Sequence, residues 1–268
     1  MFQITILFLY ITAGASLALS RLPRFAAYAN ALLLLALIGG IVALVSHTAV
    51  LQAMILVPDG LTLALGNTAS FIGLLLALTG LFIAIEPALR GMGAGLLVLA
   101  GIAALPTGWP EVSPGGTLMT WQMQAHVLIS LVAYGLLTVG AIVAVFALVQ
   151  DRRLRARKVS AANQLFAPLE MTEKLLYGLA AAGFLTLLLG VFSGFLFVDD
   201  LFAQHLVHKT TLSLLALVLF GVLLAGRQLA GWRGRRAVWL YLWGFVILGL
   251  AYFGSRFILE QVLGRTWG

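Results

Sequence analysis

The stretch AAYANALLLLALIGGIVALVSHTA (residues 26–49) decides the fold class of this 268-residue chain. It contains no Asp, Glu, Lys or Arg. About 20 consecutive apolar residues are enough for a helix to cross the hydrocarbon core of a bilayer. A solid apolar run also differs from the two-residue alternation of a membrane β-barrel strand. The stretch therefore predicts a membrane-spanning helix with His47 near its end.

The rest of the chain repeats this pattern. Hydrophobic residues make up 62% of it and charged residues 9%, whereas a soluble domain has about 25% charged residues. The first segment lacks a basic region before its apolar run, so we expect it to be a retained span rather than a signal peptide. Apolar windows of about 20 residues predict eight spans, at residues 2–20, 26–49, 62–85, 92–106, 123–149, 175–197, 207–226 and 237–260.

The prolines support this segmentation, because all seven fall at or between span ends, where the missing amide donor does least harm. We therefore expect an all-α, polytopic helical membrane protein with about eight transmembrane helices. No repeat or long linker separates a second region, and residues 1–268 are predicted to form a single integral-membrane domain.

The basic residues predict the orientation in the bilayer. One set of connections contains nearly all of them: Arg21, Arg24, Arg90, the run DRRLRARK (151–158), Lys174 and the arginines between 227 and 236. The opposite set contains Asp59, Glu111, Asp199 and Asp200, with Lys209 as its only basic residue. Short cytoplasmic loops are enriched in Lys and Arg. Both termini should therefore lie on the outer, periplasmic side. The net charge of +7 is explained by contact with the lipid bilayer, and we expect no nucleic-acid partner.

All four histidines then fall on the outer side. His47 and His126 lie near span ends, and LFAQHLVHKTT (201–211) contains His205 and His208 three residues apart. An ionisable residue within a membrane is a functional candidate by default, and neutral imidazole is a frequent axial ligand of haem iron. Two histidines from different helices can bind the iron from opposite faces. That arrangement suits electron transfer or haem carriage.

Structural alternatives exist for each histidine. His47 could bond a carbonyl on a neighbouring helix, and His126 could be an interfacial residue. His205 and His208 share a helical face and could form the polar side of an amphipathic turn.

The connection PTGWPEVSPGGTLMTWQ (106–122) contains two tryptophans. Trp109 and Trp121 could form a hydrophobic shelf for a porphyrin, or belong to the ordinary aromatic belt at a membrane interface. The sequence lacks a phosphate-binding loop, a zinc-protease HExxH pattern and a nucleophile elbow. It also lacks cysteine, which excludes thiolate metal ligands and cysteine nucleophiles. No catalytic residue is predicted, and a catalytic activity of its own is not expected.

Two segments resemble the cytochrome c assembly family of membrane proteins, which includes the CcsA and CcmC haem-handling proteins. They are GWRGRRAVWLYLWGFVILGLAYFGSR (231–256) and AHVLISLVAYGLL (125–137). The chain looks closest to the YpjD-type inner-membrane branch. The resemblance implies a multi-pass protein of the bacterial plasma (inner) membrane, a haem b cofactor and a cytochrome c assembly partner protein. It also implies that His126 is a ligand of the haem iron.

In the family, a tryptophan-rich outer motif ends in WDPKE, and this chain departs from the family at that position. LVHKTT (206–211) stands there and keeps Lys209. The histidines expected after the last span and near the third span are absent. His47 is therefore the predicted partner of His126, and His205 or His208 could replace the missing outer histidine.

Three functions follow from these observations. The first is a haem-binding membrane protein of the cytochrome c biogenesis type, which holds or presents haem at the outer face through histidine ligation. The alternative is a haem-free membrane scaffold or accessory protein that kept the family fold. A small-molecule transporter is the third, and the scarcity of charged residues within the spans disfavours it.

Overall fold

The computed structural model describes residues 2–57, 60–61, 65–109, 120–156, 167–197 and 207–254. Eight α-helices account for most of these residues: α1 (Phe2–Leu19), α2 (Ala29–Ile55), α3 (Leu65–Ile83), α4 (Arg90–Ala104), α5 (Trp121–Arg155), α6 (Leu169–Phe197), α7 (Val207–Ala230) and α8 (Arg235–Gly249). The prediction of an all-α membrane protein is confirmed. Within the described ranges, seven helices are long and apolar enough to cross a membrane. The eighth, α8, has 15 residues and continues into a π-helical turn, Leu250–Gly254.

The helix boundaries follow the prolines. Pro23 and Pro87 begin the short 3₁₀ helices Pro23–Tyr28 and Pro87–Leu89, which lead into α2 and α4. Pro168 immediately precedes α6. Proline is tolerated at these positions because the first amides of a helix have no intrahelical acceptor. Two-residue antiparallel strands, β1 (Leu56–Val57) and β2 (Gly60–Leu61), follow α2 and were not predicted.

Some helices extend beyond the apolar windows that predicted them. The prediction for α5 ended at residue 149, but the helix continues through the charged segment to Arg155. An apolar window measures the part of a helix that fits the hydrocarbon core. Arginine and leucine are good helix formers, so the helix continues after it leaves that core.

The first of two compact units comprises Met1–Leu118 and Val149–Thr172. Its main packing pairs are α3 with α4, α1 with α4, and α1 with α2. Small residues allow this close packing. A Cβ atom added to Gly93 on α4 would lie 2.7 Å from the carbonyl oxygen of Gly80 on α3.

The second unit comprises Met119–Leu148 and Glu173–Gly268. Its core contains Tyr241 of α8, which is fully buried. The Tyr241 hydroxyl donates a 3.1 Å hydrogen bond to the carbonyl of Leu137 on α5, and the Phe220 ring of α7 packs edge-on at 5.1 Å. The prediction of a single domain over residues 1–268 stays a prediction.

Candidate haem-binding site

His126 lies near the start of α5, in the second unit, and is half-buried. Its Nδ1 atom is 2.9 Å from the hydroxyl oxygen of Ser193 on α6. The Ser193 hydroxyl in turn donates a 2.8 Å hydrogen bond to the carbonyl of Gly190. A serine hydroxyl has one hydrogen, and the bond to Gly190 uses it. Ser193 must therefore accept a hydrogen bond from His126.

This network favours one tautomer of His126. With its proton on Nδ1, the neutral imidazole carries the lone pair on Nε2. Histidines that ligate a metal usually donate their other ring N–H to a protein acceptor, which fixes the orientation of the ring. The side chain of His126 thus meets the requirement for an axial ligand of haem iron through Nε2.

A half-buried lysine interacts with this histidine. Lys209, in the first turn of α7, interacts electrostatically with His126. The Lys209 Nζ atom is 6.0 Å from the ring centroid of Tyr252, and the Tyr252 ring is 5.5 Å from that of Tyr134. Ser213 of α7 is a further neighbour of Tyr134.

These side chains form what we call the His126 cluster: His126, Tyr134, Ser193, Lys209, Ser213 and Tyr252. The cluster combines an imidazole nitrogen with an ammonium group inside an apolar helical unit. Those two groups are complementary to a ligand that has both a metal centre and a carboxylate.

His47 has a different environment, in the first unit, where it is 0% exposed. Its Nδ1 atom is 3.3 Å from the Tyr10 hydroxyl oxygen of α1, and its Nε2 atom is 2.7 Å from the Ser70 hydroxyl oxygen of α3. The hydroxyl oxygen of Thr107, just after α4, is 2.6 Å from that of Ser70. Both ring nitrogens of His47 are therefore engaged by protein side chains. In this arrangement neither nitrogen is available to iron.

The other predicted site residues are distributed over both units. His208 is exposed in the first turn of α7, and His205 lies outside the described residues. Trp109 belongs to the first unit and Trp121 to the second; each is 70% exposed. The Trp121 ring centroid is 6.3 Å from that of Phe197 on α6. Within the second unit, the structure associates His126 with Ser193 and Lys209.

Ser193 and Lys209 were not among the predicted site residues. Ser193 is a single hydroxyl within the apolar segment FSGF (192–195), and nothing in its spacing distinguishes it. Lys209 did have a signal, because it is the only basic residue in the outer set of connections.

The apolar helices and their short connections define a multi-pass helical membrane protein. Residues 26–263 match the model of the family described as Cytochrome C assembly protein, and the chain belongs to that family. It is 33% identical over 242 residues to the inner membrane protein YpjD of Escherichia coli K12, covering 85% of this chain and 88% of that protein.

More distant relatives carry the name cytochrome c biogenesis protein CcsA. The protein from Synechococcus sp. strain CC9311 is 27% identical over 196 residues, which cover 62% of this chain and 64% of the relative. The protein from Guillardia theta is 26% identical over 165 residues, covering 55% and 54%. No solved structure matches the chain.

These findings confirm the predicted resemblance. The chain is a multi-pass protein of the bacterial inner membrane, and its family supports a role in cytochrome c biogenesis.

Proposed function

We propose that this protein binds haem b through His126 and holds it at the outer face of the membrane for cytochrome c biogenesis. The observation that carries the proposal is the His126–Ser193–Gly190 hydrogen-bond chain, which leaves Nε2 of His126 with a lone pair. When bound, haem supplies a redox-active iron and two propionate carboxylates. The protein's task is to ligate and orient it, with no nucleophile of its own.

Each part of the His126 cluster has a role in this proposal. His126 provides one axial nitrogen, and Ser193 keeps that imidazole in the correct tautomer. The Lys209 ammonium pairs with a propionate, since a carboxylate is the natural partner of a cation within an apolar unit. His205 or His208, just before Lys209 in the chain, supplies the second axial nitrogen.

The aromatic residues of the connection after α4 are assigned to the porphyrin plane. Trp121 lies five residues before His126 on the same helix, and its exposed ring provides apolar surface at that end of the second unit. Trp109 belongs to the first unit, and its role as a porphyrin contact stays a prediction from the sequence. An assembly partner protein would receive the haem from this outer side.

The test is a visible absorption spectrum of detergent-purified protein, oxidised and then reduced with dithionite. The wild type should show a Soret band and the split reduced bands of six-coordinate haem. His126→Ala should lose this spectrum, and the paired variant His205→Ala/His208→Ala should convert it to a five-coordinate form. His47→Ala serves as the matched control and should retain the six-coordinate spectrum, because its ring nitrogens are engaged by Tyr10 and Ser70. A wild type without a Soret band after haem supplementation would refute the proposal.

A haem-free scaffold is the second candidate. Two observations favour it: both ring nitrogens of His47 are engaged within the protein, and LVHKTT replaces the tryptophan-rich family motif. This alternative predicts colourless protein, and histidine substitutions that change stability without changing any spectrum.

A further inference from the structure

A cavity of about 440 Å³ lies in the first unit, and none of its lining residues belongs to the His126 cluster. Segments distant in sequence line it: the turn after α1, the 3₁₀ helix before α4, the end of α5 and the start of α6. The volume falls within the range of about 300–1,000 Å³ typical of ligand sites. All these segments belong to the connections that contain the basic residues.

Two arginines line this cavity, Arg21 and Arg153. Both are half-buried, whereas the neighbouring Arg24 and Arg152 are exposed. The Nε atom of Arg21 is buried from solvent. An arginine that only fixes the orientation of the chain in the membrane needs no more than contact with water or with lipid headgroups. The burial of Arg21 and Arg153 against a cavity wall therefore sets them apart from their exposed neighbours.

The acidic residue at this helix end pairs with an arginine that does not line the cavity. Asp151 forms an ion pair of 3.0 Å with Arg155, whose side chain is largely exposed. Gln150, the residue before Asp151, is buried and lines the cavity. It donates a hydrogen bond to the carbonyl of Ala167. That bond connects the end of α5 to the segment before α6 and so holds one wall in place.

The remaining lining side chains are apolar: Ala88, Leu154, Ala167, Pro168 and Leu169. The site thus combines two guanidinium groups with an apolar wall. A guanidinium binds phosphate through paired N–H groups, and an apolar wall accepts hydrocarbon. This combination is complementary to an anionic amphiphile.

We propose that this cavity binds the phosphate group of an anionic phospholipid, with Arg21 and Arg153 as its partners and the start of an acyl chain against the apolar wall. Anionic lipids give the cytoplasmic leaflet its negative surface potential, and the basic connections are assigned to that side. A soluble phosphate compound shares the headgroup chemistry, but it would leave the apolar wall unfilled. The site is independent of haem binding.

Native mass spectrometry of the detergent-purified full-length protein tests this proposal. Phosphatidylglycerol and phosphatidylcholine are titrated separately, and the apparent dissociation constant of the first bound lipid is compared. We expect wild type to prefer phosphatidylglycerol, and Arg21→Gln/Arg153→Gln to weaken that binding about ten-fold. Arg152→Gln is the matched control for Arg153→Gln alone, because each removes one charge from the same helix end. Arg152 does not line the cavity, so Arg152→Gln should bind as wild type does.

Three results would overturn the proposal. Equal losses in Arg152→Gln and in the cavity variants would mean that lipid attraction is diffuse. Displacement of the lipid by millimolar inorganic phosphate would mean that the site takes a soluble anion. The third concerns Ala88→Leu, which fills space beside the apolar wall and keeps both arginines. This variant also tests the proposal if the double variant does not fold. Undiminished phosphatidylglycerol binding by Ala88→Leu would show that the cavity is not the site.

Discussion

At the scale of single residues, one hydroxyl determines which nitrogen of His126 is available. The Ser193 hydroxyl donates a hydrogen bond to Gly190 and accepts one from Nδ1–H of His126. His47 lacks such an asymmetry, because hydroxyl groups lie against both of its ring nitrogens. The two histidines have the same intrinsic chemistry, and their different hydrogen-bond partners are the reason why we propose His126, and not His47, as the ligand.

Ser193→Ala is predicted to weaken haem binding. The substitution removes the acceptor that holds Nδ1–H, and the loss of such an outer-shell partner costs about 10- to 100-fold in affinity. Haem titration followed at the Soret band measures the effect. Ser193→Thr keeps a hydroxyl and should bind within a few-fold of wild type. Equal affinity of Ser193→Ala and wild type would show that the hydrogen bond does not support ligation.

Lys209→Met is predicted to weaken the binding of haem but not that of haem dimethyl ester. The ester keeps the iron and the porphyrin but has no carboxylate charge for Lys209 to pair with. We expect wild type to lose affinity for the ester and Lys209→Met to bind both forms alike. Lys209→Arg should restore the preference for haem. If Lys209→Met still distinguishes the two forms, another residue pairs with the propionates.

At the scale of the helices, small residues determine how closely the backbones approach. Gly140 on α5 faces the buried Tyr241 side chain of α8, whose hydroxyl reaches the Leu137 carbonyl. A Cβ atom at position 140 would overlap that hydroxyl. The hydrogen bond between α8 and α5 therefore depends on a glycine one turn away from its acceptor.

Gly140→Ala is consequently predicted to destabilise the protein by about 1–3 kcal/mol, the usual range for overpacking. Thermal unfolding in detergent, followed by helical circular dichroism, measures the change. Gly178→Ala on α6 is the matched control. No atom lies within 4 Å of a Cβ atom added there, so its unfolding midpoint should not fall. Adding Tyr241→Phe to Gly140→Ala should recover part of the loss, and no recovery would place the clash elsewhere.

At the scale of the whole molecule, the charge distribution assigns the two sides of the membrane. The proposed lipid site belongs to the basic connections, and the proposed haem site lies near the connections that contain few basic residues. The haem site is assigned to the outer side and the lipid site to the cytoplasmic side. Both assignments depend on the positive-inside rule.

Labelling of single cysteines tests this orientation directly, because the natural chain contains no cysteine. Trp109→Cys should react with a membrane-impermeant maleimide in spheroplasts. Arg152→Cys should react only after the membrane has been permeabilised. Both side chains are exposed in the structure, so poor access within the protein would not explain a negative result. The reverse pattern would exchange the two sides.

The sequence by itself determined the membrane character, the number of helices and their approximate ends. Hydrophobic length and proline position are local properties, so they can be read without knowing what packs where. The helix ends beyond the hydrocarbon core were predicted less well, because α5 leaves the apolar window and continues as a charged helix. The family was also readable, from two contiguous segments.

The environments of His47 and His126 depend on tertiary structure. The partners of His47 come from α1 and α3, and Ser193 is 67 residues from His126 in sequence. The cavity between Arg21 and Arg153 likewise combines segments more than 100 residues apart. Hydrogen bonds and cavities form between side chains that folding brings together. Their residues carry no periodicity or spacing in the sequence that would reveal them.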